Sequence, residues 1–158
     1  MVSKTEVDKR RLRIMLQRDD IAQIIEDYDR MKLRIGMTAS HSALDICDGG
    51  IEEGFPTVAY CQEGRHKTYA NYFKTKRSSS GRVLRGMVDK AIVMPSFNDV
   101  MNDSMQVEMR KRNVVYIPNR SFTSYSSIED VENKFRVPLF GSRNMLRMEE
   151  RTEEQDYY

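Results

Sequence analysis

The sequence predicts an α/β fold, a doubly wound domain around a mainly parallel sheet of four or five strands, preceded by a helical extension. Three observations lead there. Short apolar runs rich in β-branched and aromatic residues recur along the chain, each closed by glycine, proline or small polar residues. Between them lie stretches whose apolar residues recur at spacings of three and four, the period of an amphipathic helix. The two patterns alternate, which is the arrangement that buries a parallel sheet between helical layers.

Each element follows in order. Residues 6–28 read as helix, because Val7, Leu12, Met15, Leu16, Ile21, Ile24 and Ile25 recur at helical spacing with charges between them. Asp19-Asp20 is a candidate division of that stretch into two helices. Residues 33–39 read as the first strand and 42–47 as a short helix, broken by Gly49-Gly50 and Gly54. TVAYC over 57–61 is the second strand. The polar, aromatic stretch 62–83 reads as loop or short helix, with KRSSSG at 76–81 as its surface loop. Residues 91–94, closed by Pro95, form the third strand. An amphipathic helix is predicted over 97–112, with Val100, Met101, Met105 and Met109 on one side. Residues 114–117, closed by Pro118, form the fourth strand. Residues 128–135 read as helix, and Val137-Pro138-Leu139-Phe140 as an apolar segment.

The chain has 158 residues, 39% apolar and 32% charged, enough for one domain with a real core. No apolar run approaches the ~20 residues of a membrane span. The charged start, MVSKTEVDKRRLRIMLQRDD, predicts no secretory leader. Cys47 and Cys61 stand apart without a CxxC pattern, and a structural zinc site needs about four ligands. They are expected as two reduced, buried thiols in a cytoplasmic protein, with no metal site. A net charge of +2 makes no general demand for nucleic acid. The acid-free stretch 65–85 does interleave Lys67, Lys74, Lys76, Arg77 and Arg82 with Tyr69, Tyr72 and Phe73, the composition of a single-strand surface. No nucleic-acid motif accompanies it, which leaves that reading the weakest. GxxxxGK[ST], GxGxxG, GxSxG and HExxH are all absent, so no catalytic residue is assigned.

Two polar motifs fall at the carboxyl ends of predicted strands, where open α/β sheets bind ligands. The first is Ser40-His41-Ser42. Ser42 with Asp45 fits a capping box, and a helix N-terminus is an anion site, beside which His41 could donate to a phosphate or an amide. The plainer alternative is a cap serine and a histidine satisfied by local backbone. The second motif is Asn119-Arg120-Ser121 after Pro118, which otherwise reads as a polar turn. Weaker candidates are Gly64-Arg65-His66, where Arg65 could grip a phosphate bidentately, and Arg143 after the turn at Gly141.

The segments SHSALDICDGGIEEGFPTVAYCQEGR and VVYIPNRSFTSYSSIEDVENKFRVPLFGSRNMLRMEER, and ENKFRVPLFGSRNMLR most specifically, resemble one family. It is the N-terminal domain of archaeal 5-formaminoimidazole-4-carboxamide ribonucleotide synthetase, the formate-dependent ligase of the ATP-grasp superfamily. The resemblance runs from about residue 35 to 151. It implies a Rossmann-like pre-ATP-grasp domain over 32–148, with 1–31 as the helical extension and 149–158 as the start of a connection to an ATP-grasp part. That part is absent from this chain or carried on a separate one. The family's reaction uses ATP to activate formate and formylates AICAR (aminoimidazole carboxamide ribonucleotide) to FAICAR, a step towards inosine monophosphate.

The resemblance implies an AICAR site at His41 and Ser121, with Ser40, Ser42 and Arg143 as further candidates. It implies no cofactor in this chain, and ATP with Mg2+ or Mn2+ for the whole enzyme. The partner expected is an AICAR-type purine ribonucleotide, with a homo-oligomer left open and no membrane. The chain departs from the family in Asn119-Arg120, where many members carry His-Gly, and in KTKRSSSGRVLRG, which looks like an insertion. Besides the ligase reading stands that of a free-standing, non-catalytic domain binding a purine intermediate or a partner protein.

Overall fold

A computed structural model describes residues 18–141 together with Arg143. The expected helix before Arg18, Ser142 and the connection over 149–158 lie outside the described residues. The elements in chain order are α1 (Arg18–Glu26), β1 (Arg34–Thr38), α2 (Ala43–Glu52), β2 (Thr57–Gln62), β3 (Lys76–Arg77) and β4 (Val83–Arg85). After them come β5 (Lys90–Met94), α3 (Asp103–Lys111), β6 (Val114–Tyr116), α4 (Arg120–Tyr125) and α5 (Ile128–Lys134).

Four strands form a parallel sheet in the order β5-β2-β1-β6. The apolar segment 137–140 runs along the outer side of β6. Tyr116 N–H donates to Pro138 C=O at 2.8 Å, and Phe140 N–H to Tyr116 C=O at 2.8 Å. Four strands plus this parallel bridge at Leu139 match the expected four or five. A parallel strand covered on both faces reads as a continuous apolar run, and β2 is buried along its whole length apart from half-buried Gln62. Val58 and Tyr60 face one core, while Ala59 and Cys61 face the other.

The first core lies beneath α3, α4 and α5. There Tyr116, Phe122 and Phe135 stack mutually with ring centres 4.9–5.3 Å apart, each pair adding ~0.5–1.5 kcal/mol beyond burial. The second core lies beneath α2 and holds smaller residues, among them Ala43, Cys47 and Val88. Both cysteines are free and buried. Burial pushes each thiol up to about 12, so both stay protonated at neutral pH. Among the described residues no helix is long and apolar enough to cross a membrane.

Several expectations are corrected. The helix after β1 does not break at Gly49-Gly50 but continues to Glu52. Gly50 faces the sheet, where a Cβ would stand 3.0 Å from Thr57 Cγ2. The glycine therefore brings the helix closer to the sheet. Gly54, at φ +81°, makes the turn that follows. The predicted helix over 97–112 is two: a 3-10 segment Phe97–Met101, then α3, separated by extended Asn102. A capping box of Ser96 and Asp99 starts the first. The stretch 62–83 contains a π-helical turn, Thr68–Tyr72, and the loop read at 76–81 belongs to the antiparallel β3–β4 hairpin. Helix α4 was hidden in the polar motif after Pro118. Asp19 and Asp20 sit together in the first turn of α1, where acids favour a helix N-terminus.

Candidate functional site

From β1 the chain builds outward to β2 and β5 on one side, then returns to lay β6 on the other. The β1–β6 border is therefore the point where strand order reverses, and crevices at the carboxyl ends of such strands receive ligands. Both polar motifs leave the sheet there. Close approach of the two strands depends on Gly36, where a Cβ would meet Val114 Cγ1 at 2.5 Å. Ile117 N–H continues the pairing by donating to Gly36 C=O at 2.8 Å.

Asn119 joins the two loops. Its amide Nδ2 donates to Thr38 C=O at 2.9 Å and to Ser40 C=O at 3.2 Å. Its Oδ1 accepts from Phe122 N–H at 3.2 Å and so caps α4. Beneath it the Tyr116 and Thr38 hydroxyls are 2.6 Å apart in the core. Ser121 follows in the first turn of α4 and is 7% exposed.

The other loop is built differently. Ser40 is half-buried, while His41 and Ser42 are exposed and hold positive φ angles of 27° and 20°. Such angles are uncommon for residues other than glycine and cost on the order of 1 kcal/mol or more each. The expected Ser42 cap does not form: α2 has no side-chain cap hydrogen bond. A cap residue needs extended φ/ψ to aim its oxygen at the first turn, and Ser42 lacks it. Its Oγ instead lies 2.9 Å from His41 Nδ1. Free amide N–H groups in the first turn of α2 therefore meet no capping side chain.

Ser40, His41, Ser42 and the Asn119–Ser121 motif thus share one edge of the fold. Arg143 is tied elsewhere. Its guanidinium donates to Val131 C=O at 2.7 Å and to Val137 C=O at 2.9 Å, joining α5 to the segment beside β6. Burial lowers its pKa to about 10, still cationic at neutral pH. Arg65 lies exposed beyond β2, and the neighbouring His66 Nδ1 is buried without a hydrogen-bond partner among the described residues. No group of three or more His, Cys, Asp or Glu among the described residues could hold a metal ion. The residue that sequence reasoning undervalued is Asn119, grouped with Arg120 as a departure from a family pattern. An asparagine after a proline-closed strand, followed by a short amphipathic run, is a helix N-cap pattern, and that was the available signal.

A parallel sheet that reverses its strand order, carries helices on both faces and opens two polar loops at the reversal defines a Rossmann-like α/β domain. Residues 35–158 match a family described as "protein of unknown function (DUF1246)", and the chain belongs to that family. It is similar to proteins named 5-formaminoimidazole-4-carboxamide-1-(beta)-D-ribofuranosyl 5'-monophosphate synthetase. The one from Methanobrevibacter smithii is 35% identical over 131 residues, which is 83% of this chain and 32% of the relative. The one from Methanopyrus kandleri is 36% identical over 135 residues, 85% of this chain and 34% of the relative. A crystal structure of an IMP biosynthesis protein PurP from Thermococcus kodakaraensis superposes with a TM-score of 0.52 at 29% identity, over 72% of this chain and 31% of that one. The chain spans about a third of the length of the curated relatives it matches.

Proposed function

We propose that residues 32–148 are the nucleotide-substrate domain of a purine-biosynthesis ligase that formylates AICAR to FAICAR with ATP and formate. The observation that carries the reading is the pair of polar loops at the β1–β6 reversal, which Asn119 fastens side by side. The names of the relatives, matched over more than four-fifths of this chain, supply the substrate class.

AICAR offers a dianionic phosphate, ribose hydroxyls and a carboxamide beside the reacting amine. The Leu44 and Asp45 N–H groups of α2 suit the phosphate, because no side chain caps them and they lie at the positive end of the helix, whereas the Ala43 N–H is held by the Ser40 and His41 carbonyls. The other ring nitrogen of His41 has no partner among the described residues and is free to donate to a ligand oxygen once Ser42 donates to Nδ1. Ser40 and Ser42 belong to the loop after β1, and Ser121 to the first turn of α4 in the neighbouring loop. Arg143 acts here as a positioning residue, since its donors hold α5 against the 137–140 segment.

ATP with Mg2+ or Mn2+ would supply the activation of formate in the whole enzyme. The described residues provide no carboxylate cluster for such a metal, so no step through ATP is assigned to this chain. Its role is to bind AICAR and orient the amine, with residues 149–158 leading into an ATP-grasp part.

Calorimetric titration tests the assignment. AICAR binds saturably and its unphosphorylated nucleoside at least about tenfold more weakly, as loss of a charge-assisted phosphate contact predicts. His41→Ala and Ser121→Ala each weaken AICAR by about tenfold with the circular dichroism spectrum unchanged. Wild-type affinity in both variants sinks the pocket assignment.

A further inference from the structure

The opposite edge of the sheet carries a second feature. A cleft of about 370 Å³ opens at the amino ends of the strands, floored by Val58 and lined by Arg34, Arg77, Asp89, Lys90 and Arg112. Arg34 begins β1 and Lys90 begins β5, while Arg112 stands at the end of α3 just before β6. The cleft is therefore separated from the β1–β6 crevice by the length of the strands.

Its charges do not balance. Asp89 is already committed: Oδ1 accepts from Arg77 Nη2 at 2.7 Å and Nε at 3.1 Å, and Oδ2 accepts from Thr57 N–H at 3.0 Å. That pair neutralises itself and leaves three cations. Arg34 spends one nitrogen on Arg112 C=O at 3.0 Å. Arg112 has a buried Nε with no hydrogen-bond partner, and its Nη2 forms a long ion pair with exposed Glu108 at 3.8 Å, which offsets its charge only weakly. Lys90 is exposed and makes no ion pair among the described residues. Two half-buried guanidiniums and an ammonium around one cleft repel each other and gain from an anion placed between them.

We propose that this amino-edge cleft binds a diphosphate group. Guanidinium forks match phosphate oxygens in pairs. One phosphate carries about −1.5 to −2 charge near neutral pH, so a single one matches Arg34 and Lys90, and a second one linked to it engages Arg112 as well, which Glu108 pairs only at 3.8 Å. The volume is many times the ~30 Å³ share of one water molecule, ample for such a group. The proposal is independent of the AICAR reading, since it uses no residue of the β1–β6 crevice.

The test is calorimetric titration of the 158-residue chain with pyrophosphate, inorganic phosphate and ADP. Pyrophosphate binds at least about tenfold more tightly than phosphate, and saturating AICAR does not compete with it. Lys90→Glu and Arg112→Gln each weaken pyrophosphate by about tenfold or more. Lys90 makes no side-chain bond to lose, so K90E keeps the wild-type circular dichroism spectrum and melting temperature and stands as the decisive variant. ADP binding tighter than pyrophosphate identifies a nucleotide as the source of the diphosphate, and equal or weaker binding identifies the inorganic ion. Phosphate and pyrophosphate binding alike, wild-type affinity in K90E, or displacement by AICAR would each overturn the proposal.

Discussion

The loops that leave β1 and β6 sit side by side and are built on opposite plans. After β6 the polar side chain works for the fold: Asn119 caps α4 and ties down two carbonyls of the neighbouring loop. After β1 the polar side chains work only on each other, His41 with Ser42, and the backbone there adopts positive φ at both residues. Ser96 and Ser127 cap their helices in the ordinary way, with backbone N–H groups donating to their hydroxyls. Ser42 shares its missing cap bond with Asn102 before α3, and differs from it in its positive φ of 20°. The two loops thus differ in what their polar side chains hold: backbone after β6, and only a neighbouring side chain after β1.

The largest perturbation breaks both loops together. Gly36→Val drives a branched side chain into Val114 and Tyr60, prising β1 from β6, and costs about 3 kcal/mol or more in urea unfolding. Asn119→Ala comes next, removing a cap and the donor to two part-buried carbonyls, and costs about 2 kcal/mol. On the proposed function it also weakens AICAR binding, because Ser40 loses its tether. The smallest effects sharpen the contrast most. Ser127→Ala costs about 1 kcal/mol as a lost cap, whereas Ser42→Ala stays within about 0.5 kcal/mol and shows itself only in ligand affinity. Equal destabilisation by these two serine substitutions, measured in the same unfolding experiment, would erase the distinction between the loops.

The sheet was legible because its strands are short apolar runs closed by proline, glycine or small polar residues, and burial on both faces is written directly in TVAYC. What escaped reading depends on contacts distant in sequence. Gly50 looks like a breaker until Thr57 is seen against it. Asn102 gives no warning that it divides two helices. The β3–β4 hairpin is polar because it lies outside the sheet, pinned by Arg77 on Asp89. At the site, the serines and histidine were visible by type, and their position beside the second motif follows from strand order. The failed cap was not visible, because S-x-x-D specifies residue types while capping requires a backbone angle. The amino-edge cations were equally hidden, since Arg34, Lys90 and Arg112 are far apart in sequence and gather only in the sheet.

Strand order also sets a timetable. Thr38 and its partner Tyr116 are 78 residues apart, and β6 is the last of the four parallel strands to be synthesised. At roughly 5–20 residues per second, β1 waits on the order of 4–16 s on a ribosome with one flank open. An open flank is a row of unpaired amides and carbonyls ready to join any other strand. The border where the two polar loops meet closes only when β6 arrives, ahead of the segment 137–140 that then covers the outer side of β6. A pause in synthesis between β5 and β6 therefore leaves the nascent sheet with β1 as a second open edge beside that of β5.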